Sequence, residues 1–316
     1  MTTFRVTNLN DSGAGSLRDV IWQANLSNKK ALVEFQPDLK GTINLTSGEI
    51  SITDNITITG TGIDNLTING GGKSRIFHIQ KINSLPITVK IEKLTITGGK
   101  ASSGGGILSQ DNLIINETKI IGNTAISSSN GGGIFGDNIE IKNSTLTNNK
   151  ANGEGYGGAV FGTKVTVSNS IISKNTACSG GGVDATNVYI SQSLINNNTA
   201  TSENGGAIYG EFVQIIDSEI SGNVAQEDGG GIYGETILLT NSNLVNNIAI
   251  YGDGGGLSGE VVRVVNSQIV GNMGQSEEQD IDDGLVVSFT SENPENITQD
   301  NHVETCKDAL LTFSHV

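Results

Sequence analysis

The sequence predicts an all-β chain wound as a single-stranded parallel β-helix of about 25 residues per coil, with a helix capping its N-terminal end. Three observations carry this. An Asn recurs at 123, 149, 175, 198, 223, 247 and 272, at spacings of 26, 26, 23, 25, 24 and 25 residues. Two aliphatic columns keep the same period: Ile120, Leu146, Ile172, Ile195, Ile220, Leu244 and Ile269 stand three residues before each Asn, and Ile107, Ile134, Val160, Val183, Ile208, Ile232 and Leu257 follow a Gly-rich turn. The chain also holds 43 Gly and only 3 Pro in 316 residues, with no triplet period, so tight turns recur without a collagen repeat.

Taken in order, residues 16–27, "SLRDVIWQANLS", read as the helix. Ser16 stands at the capping position with Asp19 three residues on, and Leu17, Val20, Ile21 and Ala24 share one face. A stacked array has two open ends, and this helix is expected to cover the first. Residues 30–100 alternate apolar and polar, as in "INLTSGEISITDNITITG", but with looser spacing, and read as irregular early coils of the same solenoid. Residues 101–272 are the regular repeats, with short period-two runs such as "IEIKNS" and "VTVSNS" bounded by Gly, Asn or Ser. A leucine-rich repeat shares this length but needs a Leu ladder and a helical return, which the units lack. Residues 273–316 break the pattern with "SEEQDIDD" and "CKDALLTFSHV" and are expected to be a C-terminal cap, a segment folded back along the side, or a tail.

Stacking at about 4.8 Å turns every shared position into a ladder. The aliphatic columns are expected to fill the interior, and the Asn column to hydrogen-bond along itself at a turn.

The formal charge of −15 argues against nucleic acid or an anionic membrane as partner, since both call for a basic face, and favours cations or neutral glycans. Two cysteines, Cys178 and Cys306, exclude a disulfide framework and leave one bridge or two thiols. The opening "MTTFRVTNLN" has no apolar leader core, and no run approaches the 18 or so apolar residues of a membrane-spanning helix. A cytosolic protein, a mature fragment, or export without an N-terminal leader all fit that start.

The stretches "VTNLNDSGAGSLRDVIWQAN", "GTINLTSGEISIT" and "SRIFHI" resemble the N-terminal region of bacterial right-handed β-helix surface proteins with a "CSLREA"-type motif, although "GSLRD" has no Cys and places Asp19 where Glu is expected. The paired "GGAV" or "GGAI" and aliphatic-x-x-Asn signals are similar to the repeats of chlamydial polymorphic outer membrane proteins, with Ile or Leu in place of Phe. The resemblance spans residues 4–272. It implies a right-handed, pectin-lyase-like β-helix in an extracellular or cell-surface protein of adhesive or structural role. No C-terminal β-barrel pattern accompanies it.

Two further columns are candidate sites. One residue after the inward aliphatic stand Leu108, Phe135, Phe161, Asp184, Tyr209, Tyr233 and Ser258, which parity places outside; the aromatic members Phe135, Phe161, Tyr209 and Tyr233, with Asp184 among them, are the candidate glycan-binding residues. Alternatively they are a ladder that supports the sheet. The second column holds Asp111, Asp137, Thr163, Thr186, Glu211, Glu235 and Glu260. Its last three members are candidate calcium ligands, although that ion wants six to eight oxygens and no compact loop offers them. His78, within "RIFHI", reads as a packed or surface residue. The repeats contain one Arg and no His, and the only Asp-Asp pair, Asp282 and Asp283, lies beyond them. The expected function is therefore a non-catalytic surface module, structural, adhesive or glycan-binding, with no cofactor but with calcium a candidate. The alternative is a polysaccharide lyase or glycoside hydrolase built on the pectate-lyase-like scaffold.

Overall fold

The computed structural model describes residues 1–27, 29–82 and 85–275 together with the backbone of 281–289. The chain winds through about 11 turns of a parallel solenoid with roughly 25 residues per coil. Three parallel sheets run along it. One is built of strands of up to ten residues, such as Val160–Ser168 and Ile208–Ile216; a second of mostly three-residue strands such as Ile171–Ser173; a third of two-residue strands such as Thr176–Ala177. In the regular coils the runs on either side of the acidic column form one continuous strand, with ladder pairing interrupted at that column.

Alternation decides what goes inside. In Val160–Ser168 the residues Val160, Val165 and Val167 are fully buried while Phe161 and Thr166 are half-buried, and the same rhythm repeats in the long strands Ile134–Lys142, Ile208–Ile216 and Ile232–Thr240, apart from the exposed Lys142. Both predicted aliphatic columns lie in one continuous core. In bulk terms, each such Ile or Leu contributes on the order of 2 kcal/mol by leaving water.

The predicted Asn ladder forms. From Asn123 to Asn247, each Nδ2 donates to Oδ1 of the next Asn at 2.9–3.1 Å. Each Nδ2 also donates to the carbonyl of an aliphatic residue one coil back, as Asn149 does to Ile120. Each backbone N–H donates to the same Oδ1 of the next Asn at 2.8–3.1 Å. These amides are at most 3% exposed, and their hydrogen-bonding capacity is met inside the stack.

A second ladder went unread in the sequence. Thr118, Ser144, Ser170, Ser193, Ser218, Ser242 and Ser267 stack at the turn before the three-residue strands, each backbone N–H donating to the next Ser Oγ at 3.0–3.1 Å. The residue before each member has positive φ, from Glu117 at 45° to Asp217 at 50° and Asn266 at 47°, where Asn and Asp are the best-tolerated non-Gly types.

The Gly-rich turn is tight because neighbouring coils touch there through backbone. A Cβ on Gly206 would lie 2.1 Å from the carbonyl oxygen of Gly230, so no larger residue fits.

The helix Leu17–Asn25 forms with Ser16 as N-cap, its side chain accepting from the Asp19 N–H, and buries Leu17, Val20, Ile21 and Ala24 as expected. It lies between the strands Thr2–Val6 and Ala31–Phe35, which pair with each other. At the other end the stack continues past 272: Ile281–Phe289 pairs in parallel with Leu257–Val265. Cys178 is a buried free thiol, and Cys306 lies outside the described residues.

Candidate functional site

The long-strand sheet brings the candidate aromatic column into register. Leu108 pairs with Phe135, Phe135 with Phe161, Phe161 with Asp184, Asp184 with Tyr209, Tyr209 with Tyr233 and Tyr233 with Ser258. Phe135 and Phe161 stack with centroids 5.2 Å apart and planes at 20°; Tyr209 and Tyr233 stack at 5.2 Å and 14°. All four rings are half-buried. The row reaches further than its sequence spacing indicated, because His78 pairs with Leu108 and Ser51 with His78. His78 Nδ1 lies 2.8 Å from Glu49 Oε1, and the buried Arg75 clamps the other oxygen of that carboxylate. The Nε2 atom of His78 is buried and has no hydrogen-bond partner among the described residues.

Asp184 departs from its expected exposure. Parity places it outside, yet it is only 8% exposed. The reason is its coil. Val183 follows Asn175 by 8 residues, whereas the matching interval in the other regular coils is 9 to 11. The short turn Cys178–Gly182 therefore sits between two longer loops and is tied to both. Cys178 N–H donates to the Gly155 carbonyl at 2.8 Å, while Glu203 N–H donates to the Cys178 carbonyl at 3.0 Å and Gly180 N–H to the Asn204 carbonyl at 3.1 Å. Gly180, at φ 55°, folds back on the base of this side chain: a Cβ there would come within 2.6 Å of Asp184 Cβ.

These loops bring Glu203 and Tyr156 to Asp184, with Cys178 beside Glu203 and Tyr156, and the repeat pattern singled out none of the three. The 23-residue spacing before Asn198 was the available signal. Burial, reinforced by the charge of Glu203, pushes the Asp184 carboxyl up to about 8. Burial and then Asp184 raise the Tyr209 phenol. Glu203 and then burial raise the Tyr156 phenol, and burial and then Glu203 raise the Cys178 thiol. The result is a carboxyl on the outer row, between the two stacked ring pairs, that is held far above the ordinary carboxylate range.

The acidic column is arranged differently. Glu211, Glu235 and Glu260 occupy one position on three successive strands and are exposed. Each coil supplies one carboxylate, and among the described residues no group of three or more His, Cys, Asp or Glu comes together to hold a metal ion. Asp111, by contrast, is buried at the irregularity of its strand, where its Oδ2 accepts from the Ile87 N–H at 2.9 Å. A separate groove of about 740 Å³ follows the Ser ladder, lined by Asn169, Ile171, Gln192, Leu194, Asp217 and Asn241.

Fold and row together define a class: a parallel β-helix whose coils carry an outward aromatic ladder. Within it, residues 192–211 and 217–235 match the repeat of the Chlamydia polymorphic membrane protein family. A comparison with curated protein sequences returned no match. Among solved structures, the chain is similar to the A-module of a mannuronan C-5 epimerase from Azotobacter vinelandii, at 10% identity and TM-score 0.49, covering 95% of this chain and 97% of that one. It is also similar to a pectate lyase, at 13% identity and TM-score 0.41, covering 95% and 80%. A third likeness is to the ORF18 protein of Geobacillus virus E2, at 12% identity and TM-score 0.44; it covers 91% of this chain, which spans 62% of the viral one. Among the described residues no helix is long and apolar enough to cross a membrane.

Proposed function

We propose that this chain is a non-catalytic cell-surface module, structural or adhesive, that binds glycans along the outward row Phe135, Phe161, Asp184, Tyr209 and Tyr233. The observation that carries the reading is the row itself: two stacked ring pairs held half-buried on a rigid sheet, with a hydrogen-bonding carboxyl between them. Rings presented on a fixed backbone bind flat apolar faces at low entropic cost, and pyranose rings offer such faces. The surface assignment is supported by the two polymorphic-membrane-protein repeats. The acidic surface fits neutral or cationic ligands and disfavours nucleic acid.

A glycan-array screen of the purified chain, repeated with Tyr233→Ala, tests this. Binding to a defined glycan that the variant loses is the expected result; binding unaffected by Tyr233→Ala, or none to any glycan, refutes it.

One observation favours a second reading, a polysaccharide lyase or hydrolase: Asp184 and Glu203 are neighbouring carboxyl groups with different environments, and glycoside cleavage uses such pairs. Mass-spectrometric detection of cut oligosaccharides from a polyuronide panel would establish it in place of the first.

A further inference from the structure

Asp184 is nine-tenths buried, and among the described residues its carboxyl accepts no hydrogen bond. Buried carboxyl groups are ordinarily paired or hydrogen-bonded, because desolvation without compensation costs several kcal/mol. The titratable groups that face it offer no positive charge: Glu203 and the Tyr156 and Tyr209 phenols, with Cys178 and Glu154 beside Tyr156. Lys164 on the adjacent coil is engaged elsewhere, its Nζ 5.4 Å from the Tyr189 ring centroid.

Ring orientation supplies an independent constraint. Phe161 stacks one face on Phe135, so its other face points along the solenoid toward the Asp184 position. Tyr209 stacks one face on Tyr233, so its free face points back toward the same position. The two faces stand two strand spacings apart, about 9.6 Å, and a group midway lies about 4.8 Å from each. That falls within the ~6 Å over which an aromatic face attracts a cation.

We propose that the interval between the faces of Phe161 and Tyr209, over Asp184, binds an alkylammonium group, a protonated or quaternary amine, held by charge against Asp184 and Glu203. This rests on the row being a ligand-binding face and names the ligand class of its centre. A neutral sugar would leave the two acids as they are. A metal ion would find no three-ligand group here, and the rings would give it nothing to coordinate. An ammonium group satisfies the carboxyl and both ring faces at once. Because the Asp184 carboxyl titrates near 8, the cation would bind its ionised form and displace its proton. Affinity for a quaternary amine then rises about tenfold per pH unit up to pH 8 and levels off above it, while a titratable amine loses affinity again once it deprotonates.

The test is isothermal titration calorimetry of the full chain with choline chloride and with glucosamine hydrochloride, against glucose and sodium chloride at matched ionic strength. Measurements at pH 7 in two buffers of different ionisation enthalpy count protons. The expected result is saturable binding of at least one amine, release of close to one proton, and a loss of about tenfold or more in Asp184→Asn. Choline binding alone points to a quaternary headgroup and glucosamine binding alone to an amino sugar. No saturable binding of either amine overturns the proposal, as does binding without proton release. Tyr209→Leu, which leaves both acids in place, must also weaken binding, and unchanged affinity there removes the ring-face assignment. Neutral oligosaccharide binding without amine binding defeats this proposal and leaves the glycan reading standing; amine binding with a blank glycan array does the reverse.

Discussion

Asn198 donates its Nδ2 hydrogen to Oδ1 of Asn223 at 3.0 Å, while its own Oδ1 accepts the same bond from Asn175 at 2.9 Å. The seven amides thus form one chain through the interior, and removing a middle member leaves orphans on both neighbours. Asn198→Ala should cost about 3 kcal/mol, since one buried unsatisfied group alone costs roughly 1–3 kcal/mol. Urea unfolding monitored by circular dichroism checks this, and a loss below about 0.5 kcal/mol would show that the ladder contributes little.

The helix should protect the first coil. Leu17 and Ile21 are fully buried in the core that the first strands share. A charge at either place would dislodge the helix and leave strand edges free to pair with other molecules. Leu17→Asp and Ile21→Asp are therefore expected to aggregate, read by light scattering. Unchanged solubility and melting would mean that the helix does not act as a cap.

The Asp184 carboxyl predicts a pH dependence with a definite sign. Its value is raised in the folded state from an ordinary 3.8 to about 8, so its favourable contribution is full below 3.8 and is lost as pH climbs to about 8. Across that window the unfolded chain is ionised and the folded one is not, which lowers stability by at most about 1.4 kcal/mol per pH unit. Asp184→Asn removes the effect. Its melting temperature relative to the parent should rise from pH 4 to pH 8 and then stay level, and a constant difference across that range would show that Asp184 is ionised when folded.

The exposed acids Glu211, Glu235 and Glu260 predict the opposite of a site. Like charges about 4.8 Å apart repel by about 1 kcal/mol in water, less in salt. Glu235→Gln, which relieves two such contacts, should slightly raise the melting temperature, and calcium should act no differently from matched ionic strength. A calcium-specific rise of several degrees that vanishes in Glu235→Gln would make these acids ligands.

Repetition made most of the fold legible. A residue that recurs at a fixed interval lands above its own copy, so the Asn column, the two inward aliphatic columns and the outward aromatic row are each legible as a ladder in the sequence. The Ser ladder obeys the same rule, yet Ser also occurs throughout the turns, and only its hydrogen bonds separate a stacked Ser from a solvated one. His78 joined the aromatic row unannounced because it pairs with Leu108 across a looser coil, where the interval is no guide.

By itself the sequence determined the coil length, the alternation that sorts core from surface, and the residues sharing the outer row, because these depend on local period and on stacking alone. Tertiary structure decided what happens to Asp184. Its burial arises from the difference in length between its own turn and the loops at Tyr156 and Glu203, which pack over it from neighbouring coils. Parity says on which side of a strand a residue lies, but only the packing of other loops says whether water reaches it.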